Sequence, residues 1–315
     1  MSNYHNENSM NGIINVKKEK GFTSFDVVAK LRGILHEKKI GHTGTLDPDA
    51  TGVLPVCIGK ATKVCELLTD KDKVYEAVLL LGKITDTQDL TGEVLSDSTD
   101  QALALGEDAV RAAIQSFVGD YDQVPPMYSA LKVNGKKLYE YARAGVEIER
   151  KARRVHIFDI AVSSVKLPEV TMRVHCSKGT YIRTLCADIG EKLGVGGCMA
   201  SLLRTKVSVF DLEHAHTLAE IEQAMCDGTI ADYIVPIDHV FSQYPALTVN
   251  EQGLFRLQNG NRLRLSDLSA GFDKETAKNK SSYRIYDDNG RFYAIYSYDE
   301  KAEEFVIVKM FDTGR

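Results

Sequence analysis

At 315 residues, with 43% hydrophobic and 26% charged positions, the chain has the make-up of a soluble globular protein and the length of two domains, one large and one small. No apolar run reaches the ~18 residues of a membrane span, and MSNYHNENSM at the start lacks the charged and apolar stretches of a signal peptide, so a cytoplasmic protein with a loose tail over residues 1–10 is expected. The formal net charge of -5 speaks against nucleic acid as a partner until the charge is located: residues 132–154 hold eight Lys or Arg against three Glu, a net +5 that leaves -10 elsewhere. A basic segment on an acidic body suits a protein that grips a polyanion with one surface, and by charge alone a solvated helix face fits equally. The six cysteines form no C-x-x-C pair, which predicts reduced, mostly buried thiols.

In chain order, Phe25, Val28, Leu31 and Leu35 recur at helical spacing and predict a helix over 24–36, capped by Thr23 or Ser24. Residues 41–63, GHTGTLDPDATGVLPVCIGKATK, follow; Gly41, Gly44 and Gly52 with Pro48 and Pro55 exclude a long regular element, placing Asp47 on a constrained loop between short extended pieces. A second helix is predicted from near Lys60, burying Val64, Leu67 and Leu68, and VYEAVLLL over 74–81 reads as a strand before a turn at TDTQDLTG. Val110, Ile114 and Phe117 predict a helix over 108–118 that stops at Gly119. Residues 122–150 read as a loop with paired prolines and a short helix ending at Gly145.

The clearest strand is VTMRVHC, where Val170, Met172, Val174 and Cys176 alternate with polar residues without a miss. A helix over 180–193, capped by Thr180, buries Ile182, Leu185, Cys186, Ile189 and Leu193 and carries Arg183 in its first turn. A cation there opposes the helix dipole by about 0.3 to 1 kcal/mol, so Arg183 is expected to have an anionic partner elsewhere. Short strands at 284–286, 292–296 and 305–311, the first two hinged at Asn289-Gly290, predict a small all-β unit over 244–315 after a larger one over 11–243.

General motifs do not account for residues 41–63. The glycine spacing before Lys60 is wrong for a phosphate loop, and DPDAT fits an aspartyl phosphotransferase only if Asp47 ends an apolar strand, which GHTGTL is not. GHTG also matches the short clamp of a KH domain, a pattern of little specificity, and His42, Asp47 and Asp49 make no metal-ligand set of recognised spacing.

As a whole, the run closely resembles the signature of the tRNA pseudouridine-55 synthases, which isomerise one uridine in the T loop of tRNA. KGFTSFDVV, KVYEAVLLLGKITDTQDLTG, PPMYSALKVNGKKLYEYARAG, CSKGTYIRTLCADIG and SLLRTKVSVF resemble the family's other blocks in the same order, across about the first 240 residues. One departure is Lys18-Glu19-Lys20-Gly21 where the family has K-P-x-G, which costs some stiffness in that loop. The resemblance implies an α+β fold, a mixed and largely antiparallel sheet with flanking helices, and a small PUA-like RNA-binding β domain at the C-terminus.

It also implies the chemistry. The glycosidic bond breaks, the uracil turns and C5 rejoins C1′, which calls for a carboxylate, an acid–base group and a pocket for a flipped base, with no cofactor and no metal. Asp47 is implied as the catalytic carboxylate, kept ionised by Arg183, with Tyr75 stacking on the uracil and able to carry the proton. Attack on C6, attack on C1′ and abstraction of the C2′ proton all remain open to that carboxylate. His42 is implied as a substrate contact, Leu203 as an apolar wall of the pocket, and Asp49 is expected to cap its own loop in an Asx turn. Lys20, Lys132, Lys136, Lys137, Arg143, Arg150, Arg153 and Arg154 form the expected phosphate-contacting set on the tRNA partner, and the protein is expected to be a monomer. An RNA chaperone without chemistry is the alternative, and Asp47, Tyr75 and Arg183 together favour catalysis.

Overall fold

The computed structural model describes residues 10–270, 272 and 282–313, so the expected tail lies outside the described residues apart from Met10. The larger unit opens with β1 (Gly12–Lys18), α1 (Ser24–Leu35), β2 (Ile40–His42), β3 (Thr51–Ile58), α2 (Cys65–Thr69) and β4 (Lys73–Leu81). It continues with β5 (Lys83–Thr85), β6 (Val94–Asp97), α3 (Thr99–Leu103), α4 (Glu107–Gln115), β7 (Gly119–Gln123), β8 (Lys132–Val133), β9 (Lys136–Lys137) and α5 (Leu138–Arg143). β10 (Arg153–Lys166), β11 (Glu169–Cys176), α6 (Ile182–Lys192), β12 (Gly197–Val207), β13 (Phe210–Asp211) and α7 (Leu218–Asp227) complete it. A smaller β unit holds β14 (Ala246–Thr248), α8 (Glu251–Gln258), β15 (Leu263–Arg264), β16 (Tyr283–Tyr286), β17 (Phe292–Asp299) and β18 (Glu304–Met310).

The central sheet has the order β1-β3-β12-β4-β11-β10-β7, with β2 added to β3 and β13 to β12. Its pairs are antiparallel except β3 with β12, which run parallel with Leu203 opposite Thr51 and Arg204 opposite Gly52. On β11 the alternation is kept, and Val170, Met172, Val174 and Cys176 are all fully buried against α6 and its neighbours. α1 and α7 cover the other end of the sheet, packing on Ile14 and Val16 of β1. The smaller unit has the sheet order β14-β16-β17-β18-β15 and its own core around Tyr296 and Phe305.

Local details depart from the periodicity in four places. Phe25 is 65% exposed, because the buried stripe of α1 runs through Ser24, Val27, Val28, Leu31 and Leu35, and Phe25 falls outside it. The helix expected from Lys60 is split into a 3-10 turn over Gly59–Val64 and α2, with Leu67 only partly buried. α4 ends at Gln115, and Gly119, at φ +105°, opens β7 instead of stopping a helix. Thr180 does not cap α6: its hydroxyl donates to the Ser177 carbonyl at 3.0 Å, and the N-cap residue is Tyr181. Thr23 does cap α1, in a capping box with Asp26.

Candidate active site

Asp47 lies on the loop between β2 and β3, and buried donors hold that loop from three sides. Ser24, at the start of α1, accepts a hydrogen bond from the Leu46 amide at 2.8 Å and donates to the Leu46 carbonyl at 3.3 Å. Lys18, 1% exposed at the end of β1, donates through Nζ to the carbonyls of Glu19, Pro48 and Ala50 at 3.1, 3.0 and 2.5 Å. Burial pushes the Lys18 ammonium down to about 8, with Asp47 opposing the fall. The bond to the Glu19 carbonyl needs no proline there, so the Glu19 departure leaves this contact in place.

From the sheet side, Arg204, also 1% exposed, donates through Nε to the Val53 carbonyl at 2.8 Å and through Nη2 to the Gly44 carbonyl at 3.2 Å. The parallel pairing of β12 with β3 brings it there. Gly52 permits the approach: its φ is +108°, and a Cβ at that position would stand 2.2 Å from the Arg204 carbonyl oxygen.

The loop presents Asp47 to Arg183. Nε of Arg183 lies 2.9 Å from Asp47 Oδ2, and Nη2 donates to Oδ1 at 3.2 Å, a side-on bidentate pair. The remaining guanidinium donors reach the Thr87 and Tyr128 carbonyls, each at 2.9 Å, and Asp89 Oδ2 stands 3.5 Å from Nη1. The oddity of a cation in the first turn of a helix is thereby accounted for: two carboxylates face it from other elements. Asp89 is itself held by Thr87 and Thr91 in the turn after β5. The Arg183 side chain is 6% exposed, whereas that of Asp47 is 37% exposed. Burial raises the Asp47 carboxyl above its ordinary value, Asp89 adds to the rise, and Arg183 and Lys18 oppose it.

Tyr75 sits on β4 opposite Arg204 of β12 and Val174 of β11, 8% exposed in the core around α6. Burial raises its hydroxyl, so the side chain is a protonated phenol at neutral pH, with Arg204 as its hydrogen-bond partner. Guanidinium has no acceptor, so toward Arg204 the Tyr75 oxygen can only accept. Leu203 pairs with Thr51 and Glu76, half-buried beside the loop. His42 accepts from the Gly44 amide through Nδ1 at 3.3 Å; burial, then Arg204, lowers its pKa and keeps the ring neutral.

The other predicted residues lie farther out. Asp49 makes an ion pair with the exposed Lys20 at 3.7 Å, which replaces the Asx turn expected of it. Lys132 and Lys136 project from the β8–β9 hairpin and Arg143 from α5, with Lys137 and Arg143 both over the Tyr139 ring. Arg154, its side chain 62% exposed, is paired with Asp122 at 2.6 and 2.8 Å and with Asp120 at 3.4 Å. Arg150 is engaged by the Pro125 carbonyl and Glu147.

The comparisons with known proteins decide the family. The N-terminal domain of TruB family pseudouridylate synthases matches residues 32–182, and the tRNA pseudouridylate synthase B C-terminal domain matches residues 183–242. The chain belongs to the TruB family. The tRNA pseudouridine synthase B of Lachnoclostridium phytofermentans is 55% identical over 96% of this chain and 100% of its own length. That of Bacillus pumilus is 44% identical over 91% of this chain and 93% of its own. Among solved structures, a Cbf5–Nop10–Gar1 complex contains a chain that aligns at TM-score 0.70 and 26% identity over 96% of this chain and 85% of that one.

Within this TruB-family site, Lys18, Arg204, Asp89 and Ser24 were not anticipated from sequence. For Arg204 a signal was present, since in SLLRT it shares the buried phase of β12 with Leu202, and a charge in an apolar phase asks for a partner. Lys18 likewise follows a wholly buried run of β1 after one exposed residue. Ser24 and Asp89 act through loop contacts that no spacing encodes.

Proposed function

We propose that the protein converts uridine 55 in the T loop of tRNA to pseudouridine, with Asp47 as the catalytic carboxylate. The observation that carries the proposal is a carboxylate held side-on by a buried arginine, at 2.9 and 3.2 Å, while its own side chain stays partly exposed. The uridine leaves its stack and enters beside Asp47, with Leu203 as apolar wall and Tyr75 as the stacking face. Arg183 keeps the carboxylate ionised and aimed while the glycosidic bond breaks and the uracil turns. Once C5 has joined C1′, C5 has a proton to lose and N1 one to gain; the protonated Tyr75 phenol gives its proton to N1, and the phenolate so formed, beside the Arg204 cation, takes the one from C5. Lys132, Lys136 and Arg143 reach the tRNA backbone from the hairpin and α5, and His42 contacts the opened loop. The protein works as a monomer in the cytoplasm, without cofactor or metal, through a catalytic domain over 11–243 and an RNA-binding β domain over 244–315.

The test is incubation with an unmodified tRNA transcript in EDTA, followed by carbodiimide labelling and primer extension. A single stop at position 55, absent from a transcript with cytidine there, is the expected result. Labelling at another uridine, or none, contradicts the proposal.

A further inference from the structure

The first turn of α6 carries Arg183, yet its N-cap residue Tyr181 offers no side-chain acceptor to the helix amides. A side chain from another element takes hold of this end. Gln123, the last residue of β7 and 2% exposed, accepts from the Tyr181 amide through Oε1 at 2.7 Å and donates through Nε2 to the Tyr181 carbonyl at 3.0 Å. One rigid amide thus fixes the peptide groups on both sides of Tyr181, two residues ahead of Arg183. The Tyr181 carbonyl also accepts the helix's own bond from the Leu185 amide at 3.1 Å, so Gln123 is tied to the first turn itself.

The strand holds α6 a second time beyond Arg183, where the Tyr121 hydroxyl donates to Asp188. Past Gln123 the same chain runs to Tyr128, whose carbonyl accepts from Arg183 Nη2 at 2.9 Å. β7 and its extension therefore grip both the backbone that carries Arg183 and the guanidinium at its tip.

We infer that Gln123 is a positioning residue: by clamping Tyr181 it fixes the register of α6 that keeps the Arg183 guanidinium against Asp47. The inference rests on the proposed roles of Asp47 and Arg183. Losing the clamp leaves the Tyr181 amide unpaired and its carbonyl with the Leu185 bond alone, which frees the first turn to shift, and misplacement of a catalytic partner by an ångström costs about 100-fold in rate.

The test uses Gln123→Leu in the full-length protein, with single-turnover conversion of uridine 55, tRNA affinity and the titration of Asp47 followed by carbon NMR of aspartate-labelled protein. The expected result is a rate loss of roughly 10- to 100-fold, an affinity within about twofold of wild type, and an Asp47 pKa moved upward toward its value in Arg183→Met. Combined with Arg183→Met, Gln123→Leu adds less than about threefold, as expected of two residues acting through one contact. Should Gln123→Leu fail to fold, Gln123→Glu keeps the acceptor for the Tyr181 amide and loses the donor to its carbonyl, and the same measurements apply. An unchanged rate in folded protein, an unmoved Asp47 titration, or full multiplicative loss on top of Arg183→Met overturns the inference. Asp47→Asn, measured beside it, separates the two levels: wild-type turnover there removes the catalytic reading itself, whereas an inactive Asp47→Asn with an unaffected Gln123→Leu removes only the clamp.

Discussion

Asp47 and Asp49 stand one residue apart, and their surroundings divide them. Asp47 meets the fork of the buried Arg183, while Asp49 meets the exposed ammonium of Lys20 at 3.7 Å. The division was legible in part: side chains one residue apart on an extended loop point apart, and Arg183 stood at the wrong end of a helix for its charge. What Asp49 contacts was not legible, because an Asx turn and a surface ion pair use the same residue type. The Asp47 carboxyl is raised by burial and held back by Arg183, so Arg183→Met should move its titration to higher pH. Since an ionised carboxylate is required, the acid limb of the rate moves up with it; a carboxyl titration that stays or falls contradicts the arrangement. For Tyr75, the structure adds a buried hydroxyl, held protonated by burial, beside the Arg204 guanidinium. Tyr75→Phe keeps the stacking face, so tRNA affinity should persist while turnover falls by about 10²–10⁴. Turnover near wild type would limit Tyr75 to stacking.

Among the elements, those whose pattern follows burial alone were read well, and those set by distant partners were not. β11 alternates because both neighbours and α6 bury the same face. The parallel pairing of β12 with β3 leaves no trace in either strand's pattern, yet it delivers Arg204 to the Asp47 loop and Leu203 beside it. Phe25 was misplaced because Val27, the residue that joins the buried stripe, is apolar too. The basic segment shows the same limit. Composition located it, but did not show that Arg154 pairs with Asp122 and Asp120 on the neighbouring strand β7, 32 and 34 residues away in sequence. The hairpin and α5 carry the cations proposed to meet the RNA. Changing Lys132, Lys136 and Arg143 together to Ala should lower the log–log salt slope of tRNA binding by about 2 to 3, at roughly 0.7–0.9 for each phosphate no longer neutralised. An unchanged slope places the phosphate-binding cations elsewhere.

At the scale of the molecule, the two sheets share a core. Ile295 and Phe311 of the smaller unit bury against Ile13, Val53 and Phe241 of the larger, and Lys60 reaches Asp312 at 2.7 Å. That union was not visible in sequence, where prolines and a change to short strands mark only a boundary. Phe311 is 1% exposed, so Phe311→Ala should cost about 3–5 kcal/mol and lower a single calorimetric transition of the whole chain. Two separated transitions in the wild type would show that the shared cluster does not couple the units. The packed whole, by this account, serves one carboxylate. The direct measurement is single-turnover formation of pseudouridine at position 55 by Asp47→Asn, with circular dichroism and tRNA binding as controls and Asp49→Asn beside it. The account predicts folded, tRNA-binding Asp47→Asn that makes no detectable pseudouridine and an active Asp49→Asn; wild-type turnover in the first, or abolition in a folded second, would contradict it.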